Sequence, residues 1–141
     1  MKTIMLILMT VAGLALPVSA ISPKRIESAK KRAEEDNKLI VFVVKQEYYN
    51  PNCPKCITSV DANNGKISRM TPNKGVIIIK LEQSEAKQGD VPDVVLKGST
   101  PRLVITDAAC TKVIDSLGAN SDKARVKEME AKIAAALAGK A

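Results

Sequence analysis

Apolar residues recur along this chain in two spacings, which predict where helices and strands lie. A helix is expected to begin at Ser22-Pro23, because serine is a favoured N-cap and proline fits the first helical turn. The apolar residues that follow at helical spacing are Ile26, Ala29 and Ala33. Asn37 is expected to close this helix. Residues 39–44, LIVFVV, form a continuous apolar run, which is typical of a strand buried on both faces.

A polar loop over residues 45–52 separates this strand from the next helix. That helix is expected to begin at or just before Cys53, because Ile57 and Val60 follow at helical spacing. The run NNG at residues 63–65 is expected to end or kink it.

The second half of the chain predicts three more strands. The run GVIIIKL at residues 75–81 indicates a second buried strand, and residues 92–97 indicate a short helix that Gly98 ends. Strands are also expected over residues 102–106 and 111–117. Only DAAC separates them, and a connection this short implies an antiparallel hairpin.

The last apolar stripe predicts a C-terminal helix capped by Ser121. Its apolar face is formed by Val126, Met129, Ile133 and Leu137. The helical segment between the first two strands implies a parallel crossover, whereas the last two strands form a hairpin. The sequence therefore predicts an α/β fold with a mixed four-stranded sheet and helices on both faces.

The first twenty residues differ from the rest of the chain. A single lysine, Lys2, precedes a long apolar run that ends in the small residues VSA, which is the layout of a secretory signal peptide. An uncleaved anchor is disfavoured, because the run is short and interrupted by a glycine and a proline. We expect cleavage after Ala20, one domain over residues 21–141, no stable membrane insertion, and a periplasmic or secreted protein of a bacterium.

Charge and composition narrow the classes of function. Cleavage leaves 21 basic and 15 acidic side chains, a formal charge of +6, which favours acidic partner surfaces. Nucleic acid is not expected as a partner, because the lysines are scattered and the aromatic residues are only Phe42, Tyr48 and Tyr49. The chain has no histidine, which excludes Ser-His-Asp and Cys-His hydrolases and two-histidine zinc sites.

The motif Cys53-Pro54-Lys55-Cys56 carries the candidate chemistry. It follows the first buried strand and opens a helix, where unpaired N–H groups and the helix dipole stabilise a thiolate. Cys53 is therefore the predicted nucleophile, and Cys56, one turn further, is predicted to resolve the mixed disulfide. Pro54 fits the first helical turn, and Lys55 adds positive charge. No cofactor is predicted.

Two other roles stay open for this cysteine pair. Zinc needs about four ligands, and the third cysteine, Cys110, is expected about 16 Å away at the far end of a five-residue strand. No metal ligand is therefore assigned, although a two-coordinate copper(I) site suits thiolates. A structural disulfide in a non-catalytic binding module is the other alternative. Cys110 itself is expected to be partly exposed in a turn, where it could link a dimer.

The chain resembles the thioredoxin-like superfamily over most of residues 25–138. The resemblance rests on the motif CPKC after a buried strand, on STPRLVI at residues 99–105, and on LGA at residues 117–119. It implies a thioredoxin-like fold in which Pro101 is cis and faces the cysteine pair. It also implies that Thr100 presents its backbone to an extended partner chain, so Thr100 and Pro101 are the expected substrate-binding residues. The implied activity is thiol-disulfide exchange with protein thiols or disulfides in the cell envelope.

Two positions depart from the thioredoxin pattern. Asn52 stands where thioredoxin has a tryptophan, and the strand position of its buried acid is apolar here, near Val43. The loop over residues 45–52 is longer than the thioredoxin loop. Its Glu47 is a candidate to replace the missing acid, although we expect Glu47 to be a solvated surface residue. Tyr48 and Tyr49 are expected either to rim the cysteine pair or to cover the end of the sheet.

Overall fold

One sheet lies at the centre of the computed structural model, which describes residues 23–88 and 91–139. Within these ranges the sheet has four strands: β1 (Leu39–Lys45), β2 (Val76–Glu82), β3 (Arg102–Thr106) and β4 (Val113–Gly118). Their spatial order is β2-β1-β3-β4. β1 pairs in parallel with β2 and antiparallel with β3, and β3 and β4 form an antiparallel hairpin. The predicted mixed sheet is confirmed, while the predicted leader lies outside the described residues.

Helices cover both faces of this sheet. The described ranges contain α1 (Pro23–Glu35), α2 (Pro54–Met70), α3 (Gln83–Gln88), α4 (Asp93–Leu96) and α5 (Lys123–Ala138). Buried side chains of α1, α3 and α4 form one apolar cluster with the sheet, and those of α2 and α5 form a second cluster on the opposite face. The predicted α/β fold is therefore confirmed, and its arrangement is consistent with a thioredoxin-like architecture.

The central strand β1 explains the apolar run in the sequence. Ile40 and Phe42 enter one apolar cluster, whereas Val41 and Val43 enter the other. Each side chain of this size stabilises the fold by about 1.5–3 kcal/mol when it is fully buried. Because both faces of β1 are covered, its central positions are apolar throughout.

The end of α1 confirms the role predicted for Asn37. This residue has a positive φ of 54°, and the N–H of Lys38 donates to the carbonyl of Ala33 at 2.8 Å. The N–H of Asn37 donates to the carbonyl of Glu34 at 3.4 Å. Together these bonds form a Schellman motif, which satisfies the last helical carbonyls and turns the chain into β1.

Other elements differ from the sequence prediction. The strand β2 is an edge strand in which Ile79 and Leu81 are buried while Ile78 is exposed, so the prediction of a second buried strand holds for only one of its faces. Helix α3 was not predicted. The N-cap of α5 is Asp122 rather than Ser121, because the Asp122 carboxylate accepts a hydrogen bond from the N–H of Arg125 at 2.8 Å.

The helix α2 continues through residues 63–65, where a break was predicted. The side-chain amide of Asn64 accepts a hydrogen bond from the N–H of Gln46 at 2.9 Å and donates one to the carbonyl of Gln46 at 3.0 Å. Gln46 directly follows β1, so Asn64 supplies the pair of backbone partners that a neighbouring strand would otherwise provide. This pairing fixes α2 against the loop that leads to Cys53.

Candidate functional site

The strand register places the strand ends that lead to the two predicted parts of the site at the same end of the sheet. Val44 in β1 pairs with Arg102 in β3, so the carboxyl end of β1 lies beside the amino end of β3. The chain reaches Cys53 eight residues after β1 ends, and Pro101 directly precedes β3. The Thr100-Pro101 peptide bond is cis, as the resemblance implied.

Cys53 is the N-cap of α2, as the sequence predicted for the start of this helix. Its backbone is extended, with φ −110° and ψ 101°, and Pro54 occupies the first turn of α2. The backbone N–H of Cys56 donates to Cys53 Sγ at 3.2 Å, and the N–H of Ile57 donates to the Cys53 carbonyl at 3.0 Å. The sulfur of Cys53 therefore takes the place that a serine or aspartate oxygen takes at other helix starts.

Cys53 and Cys56 form a disulfide with a Cα–Cα separation of 5.2 Å. Both side chains are half-buried, whereas Pro54 and Lys55 between them are exposed. The pair is therefore bordered by exposed residues on the Pro54-Lys55 side. If the bond is reduced, the N–H of Cys56 and the positive end of the helix dipole remain directed at Cys53, where they stabilise a negative charge on sulfur.

A groove of about 460 Å³ lies beside the cysteine pair, and we call it the tyrosine groove. It is lined by Gln46, Tyr48, Tyr49, Lys55, Cys56, Ser59, Val60 and Asn63. Tyr49 is 83% exposed, and the hydroxyl of Tyr48 donates a short hydrogen bond to Asp61. This bond raises the pKa of the Tyr48 phenol. The two tyrosines thus form a rim next to Cys56, which was one of the two roles expected from the sequence.

Thr100 and Pro101 line a second groove of about 430 Å³, which we call the docking groove. Its other lining residues are Asn63, Ser99, Gly118, Ala119, Asn120, Ser121 and Arg125. Asn63 lines both the tyrosine groove and the docking groove, so the two depressions adjoin along α2. The sequence treated Asn63 as part of a helix breaker and therefore missed its position between Cys56 and Thr100.

Arg102 holds the segment that leads into Pro101. Its side chain is buried and donates to the carbonyls of Val95, Gly98 and Ser99, the last two at 3.2 and 3.5 Å. Burial lowers the pKa of this guanidinium. Its Nε is the only buried side-chain nitrogen or oxygen in the described part of the chain that has no partner. The sequence identified Arg102 only as the first residue of a strand. Its hydrogen-bond partners are backbone carbonyls, which every residue type has, so the sequence could not indicate them.

Glu47 was considered as a substitute acid near the cysteines. Its carboxylate instead accepts hydrogen bonds from the Ser84 backbone N–H at 3.0 Å and from the Ser84 hydroxyl. The N–H of Glu47 also donates to the side chain of Gln83 at 3.4 Å. Glu47 therefore stabilises the N-terminus of α3 and is not the solvated surface residue that we expected. Val43, near the position that the resemblance aligns with the thioredoxin acid, is buried in the apolar cluster to which α2 contributes.

Cys110 is buried, in contrast to the partial exposure expected for it. It is 4% exposed, has a positive φ of 59°, and packs in the same apolar cluster as α1. Burial raises the pKa of its thiol. The register pairs Thr106 with Ile40, so the turn that contains Cys110 lies at the opposite end of the sheet from the disulfide. Its thiol is thus withdrawn from the surface on which a dimer link would form.

No protein-family model matches this chain, and a search of curated proteins finds no significant match. Residues 23–88 and 91–139 contain no group of three or more cysteine or acidic side chains arranged to hold a metal ion. In the same ranges, no helix is both long and apolar enough to cross a membrane.

Proposed function

We propose that this chain is a member of the thioredoxin-like superfamily that exchanges disulfides with protein partners through Cys53 and Cys56. One observation carries the proposal: the sulfur of Cys53 caps α2 and accepts the N–H of Cys56 at 3.2 Å. A crosslink that only stabilised the fold would not need one sulfur at a position where a helix stabilises negative charge. The mixed α/β sheet around the pair supports the proposal as well.

The reaction uses both sulfurs in turn. In the reduced protein, the Cys53 thiolate attacks one sulfur of a partner disulfide and releases the other sulfur as a thiolate, which takes up a proton. Cys56 then loses its proton and attacks Cys53, which restores the Cys53–Cys56 bond and frees the second partner thiol. Two electrons pass from the protein to the partner. The same steps in reverse oxidise a partner dithiol.

Thr100 and Pro101 are the residues proposed to hold the partner chain. They line the docking groove, which adjoins the tyrosine groove at Asn63, and Cys56 lines the latter. An extended partner backbone that pairs with Thr100 gains affinity from main-chain hydrogen bonds independently of its side chains. A leader-like sequence over residues 1–20 supports an exported protein, in a periplasm or outside the cell.

Insulin reduction with dithiothreitol tests the proposed activity. We expect the wild type and Cys110→Ala, the control at the buried cysteine, to accelerate precipitation of the insulin B chain. Cys53→Ser is expected to fall to the uncatalysed rate, because it lacks the nucleophile. When Cys56→Ser is reduced, freed of dithiothreitol and mixed with insulin, it is expected to accumulate a mixed disulfide that mass spectrometry detects. A wild type no faster than Cys53→Ser would refute the proposal and assign the pair to a structural crosslink.

A further inference from the structure

Residues that line surface depressions continue along α2 beyond the disulfide. They are Cys56, Ser59, Asn63, Lys66 and Arg69, which lie three or four residues apart in a row that turns around the helix toward Arg69. The first three line the tyrosine groove, and Asn63 also lines the docking groove. The last two are exposed and line a third depression, at the far end of α2.

This third depression, which we call the basic groove, lies between α2 and α5 and has a volume of about 740 Å³. Its apolar floor includes Met70, Ala119 and Val126, which are half-buried. The four cations along it are Lys66, Arg69, Lys123 and Lys127, and its two carboxylates are Asp122 and Glu130. The Asp122 carboxylate already accepts the Arg125 N–H as the cap of α5. The formal balance is +2, so the groove is complementary to an acidic ligand with some apolar surface.

The basic groove is continuous with the proposed site. Ala119, Asn120 and Ser121 line both the docking groove and the basic groove. The three depressions therefore form a connected path along α2, from Cys56 to Arg69. Thirteen residues of helix span about 20 Å. An extended polypeptide covers that distance with about six residues.

We propose that the partner polypeptide lies along this path, with acidic side chains in the basic groove about six residues from the cysteine that exchanges. The inference rests on the proposed function and names its substrate class, a protein thiol or disulfide next to an acidic segment. Opposite charges at the rim of a groove mainly accelerate encounter and select partners, and salt weakens them. The acidic segment thus determines which partners bind, while the docking groove aligns the partner backbone.

Binding of a labelled, cysteine-free peptide tests the charge preference directly. One peptide carries three aspartates, and its counterpart carries three asparagines at the same positions. We expect the protein to bind the aspartate peptide about tenfold more tightly at low ionic strength, by fluorescence anisotropy, with a smaller ratio at high salt. The double variant Lys66→Glu/Arg69→Glu is expected to lose this preference. The double variant Lys66→Gln/Arg69→Gln is expected to show a smaller preference than the wild type.

The matched control is Arg25→Glu/Lys31→Glu on α1, which covers the opposite face of the sheet. Both side chains are exposed, and the change in net charge is the same. We expect this control to keep most of the preference. An equal loss in the two double variants would show that only net charge matters, and would overturn the proposal. Phosphatidylglycerol vesicles test a membrane surface as the ligand. If the wild type bound these vesicles, the Lys66→Glu/Arg69→Glu variant did not, and neither protein preferred one peptide, the groove would be assigned to a membrane surface. That result would also overturn the proposal.

A kinetic experiment separates this inference from the proposed function. The same peptides are extended to a cysteine six residues from the charged segment and presented as disulfides with glutathione. We expect faster exchange of the aspartate peptide by the wild type and equal rates for both peptides with Lys66→Glu/Arg69→Glu. Rates at background for both peptides would refute the oxidoreductase. Equal rates above background with the wild type would refute only the acidic segment.

Discussion

Replacement of Asn64 by alanine tests how α2 is held against the loop before Cys53. The Asn64 side chain makes two hydrogen bonds, of 2.9 and 3.0 Å, with the backbone of Gln46 in a half-buried position. A hydrogen bond of this kind contributes about 0.5–1.5 kcal/mol, so the loss of both costs about 1–3 kcal/mol. Alanine has the higher helix propensity, which returns about 0.6 kcal/mol. We expect a net loss of about 0.4–2.4 kcal/mol in the free energy of unfolding.

Asn63→Ala is the matched control, since it is the neighbouring asparagine in the same helix and is also half-buried. It should gain the same propensity and lose neither bond to Gln46, so the two variants are expected to change stability in opposite directions. Urea titration monitored by circular dichroism gives both free energies. Asn64→Asp keeps the acceptor for the Gln46 N–H but loses the donor to the Gln46 carbonyl, and is therefore expected to be less stable than the wild type. If Asn64→Ala proved as stable as Asn63→Ala, the role assigned to this side chain would be wrong.

Two further predictions concern Asp115 and Cys110. Burial opposes ionisation of Asp115, but hydrogen bonds from Arg125 and Ser116 outweigh this effect and lower the pKa of the carboxyl group. The ionised Asp115 therefore stabilises the folded state above its unfolded pKa of about 3.9, and this stabilisation is lost as the pH falls further. Asp115→Asn should therefore lower the free energy of unfolding by about 2 kcal/mol at pH 7 and by less at pH 3, as measured by urea titration. Equal losses at both pH values would contradict this. Because Cys110 is buried, Ellman's reagent should detect no thiol in the native oxidised protein and one thiol per chain in urea. Immediate reaction of the Cys110 thiol without urea would refute its burial.

The parts of the fold that could be predicted are those in which neighbours in sequence decide the structure. The run LIVFVV predicted β1 because a strand covered on both faces needs no polar positions, and DAAC predicted the hairpin because so short a connection permits little else. The helix start at Cys53 followed from Pro54 and the apolar spacing after it. In each case the sequence signal and the tertiary environment agree.

The errors arise where a distant partner overrides a local preference. Residues 63–65 favour a turn, yet Asn64 stays helical because its amide is bound by Gln46, eighteen residues earlier. Cys110 was expected to be partly exposed because it lies in a turn, but this turn places its side chain in the apolar cluster that includes α1. Residue type alone does not show which side of a turn faces the core. The strand β2 begins with the apolar run VIII, as β1 begins with LIVFVV, but its place at the sheet edge depends on the order of strands in space.

The distance between Cys110 and the disulfide has a consequence for how the chain can be oxidised. Three sulfurs allow three pairings, and two of these would join Cys110 to one end of the motif. Those crosslinks would have to bridge the length of β3, about 16 Å, which no disulfide spans. The native topology therefore forbids scrambling, and an oxidant that reaches the folded molecule can generate a single isomer.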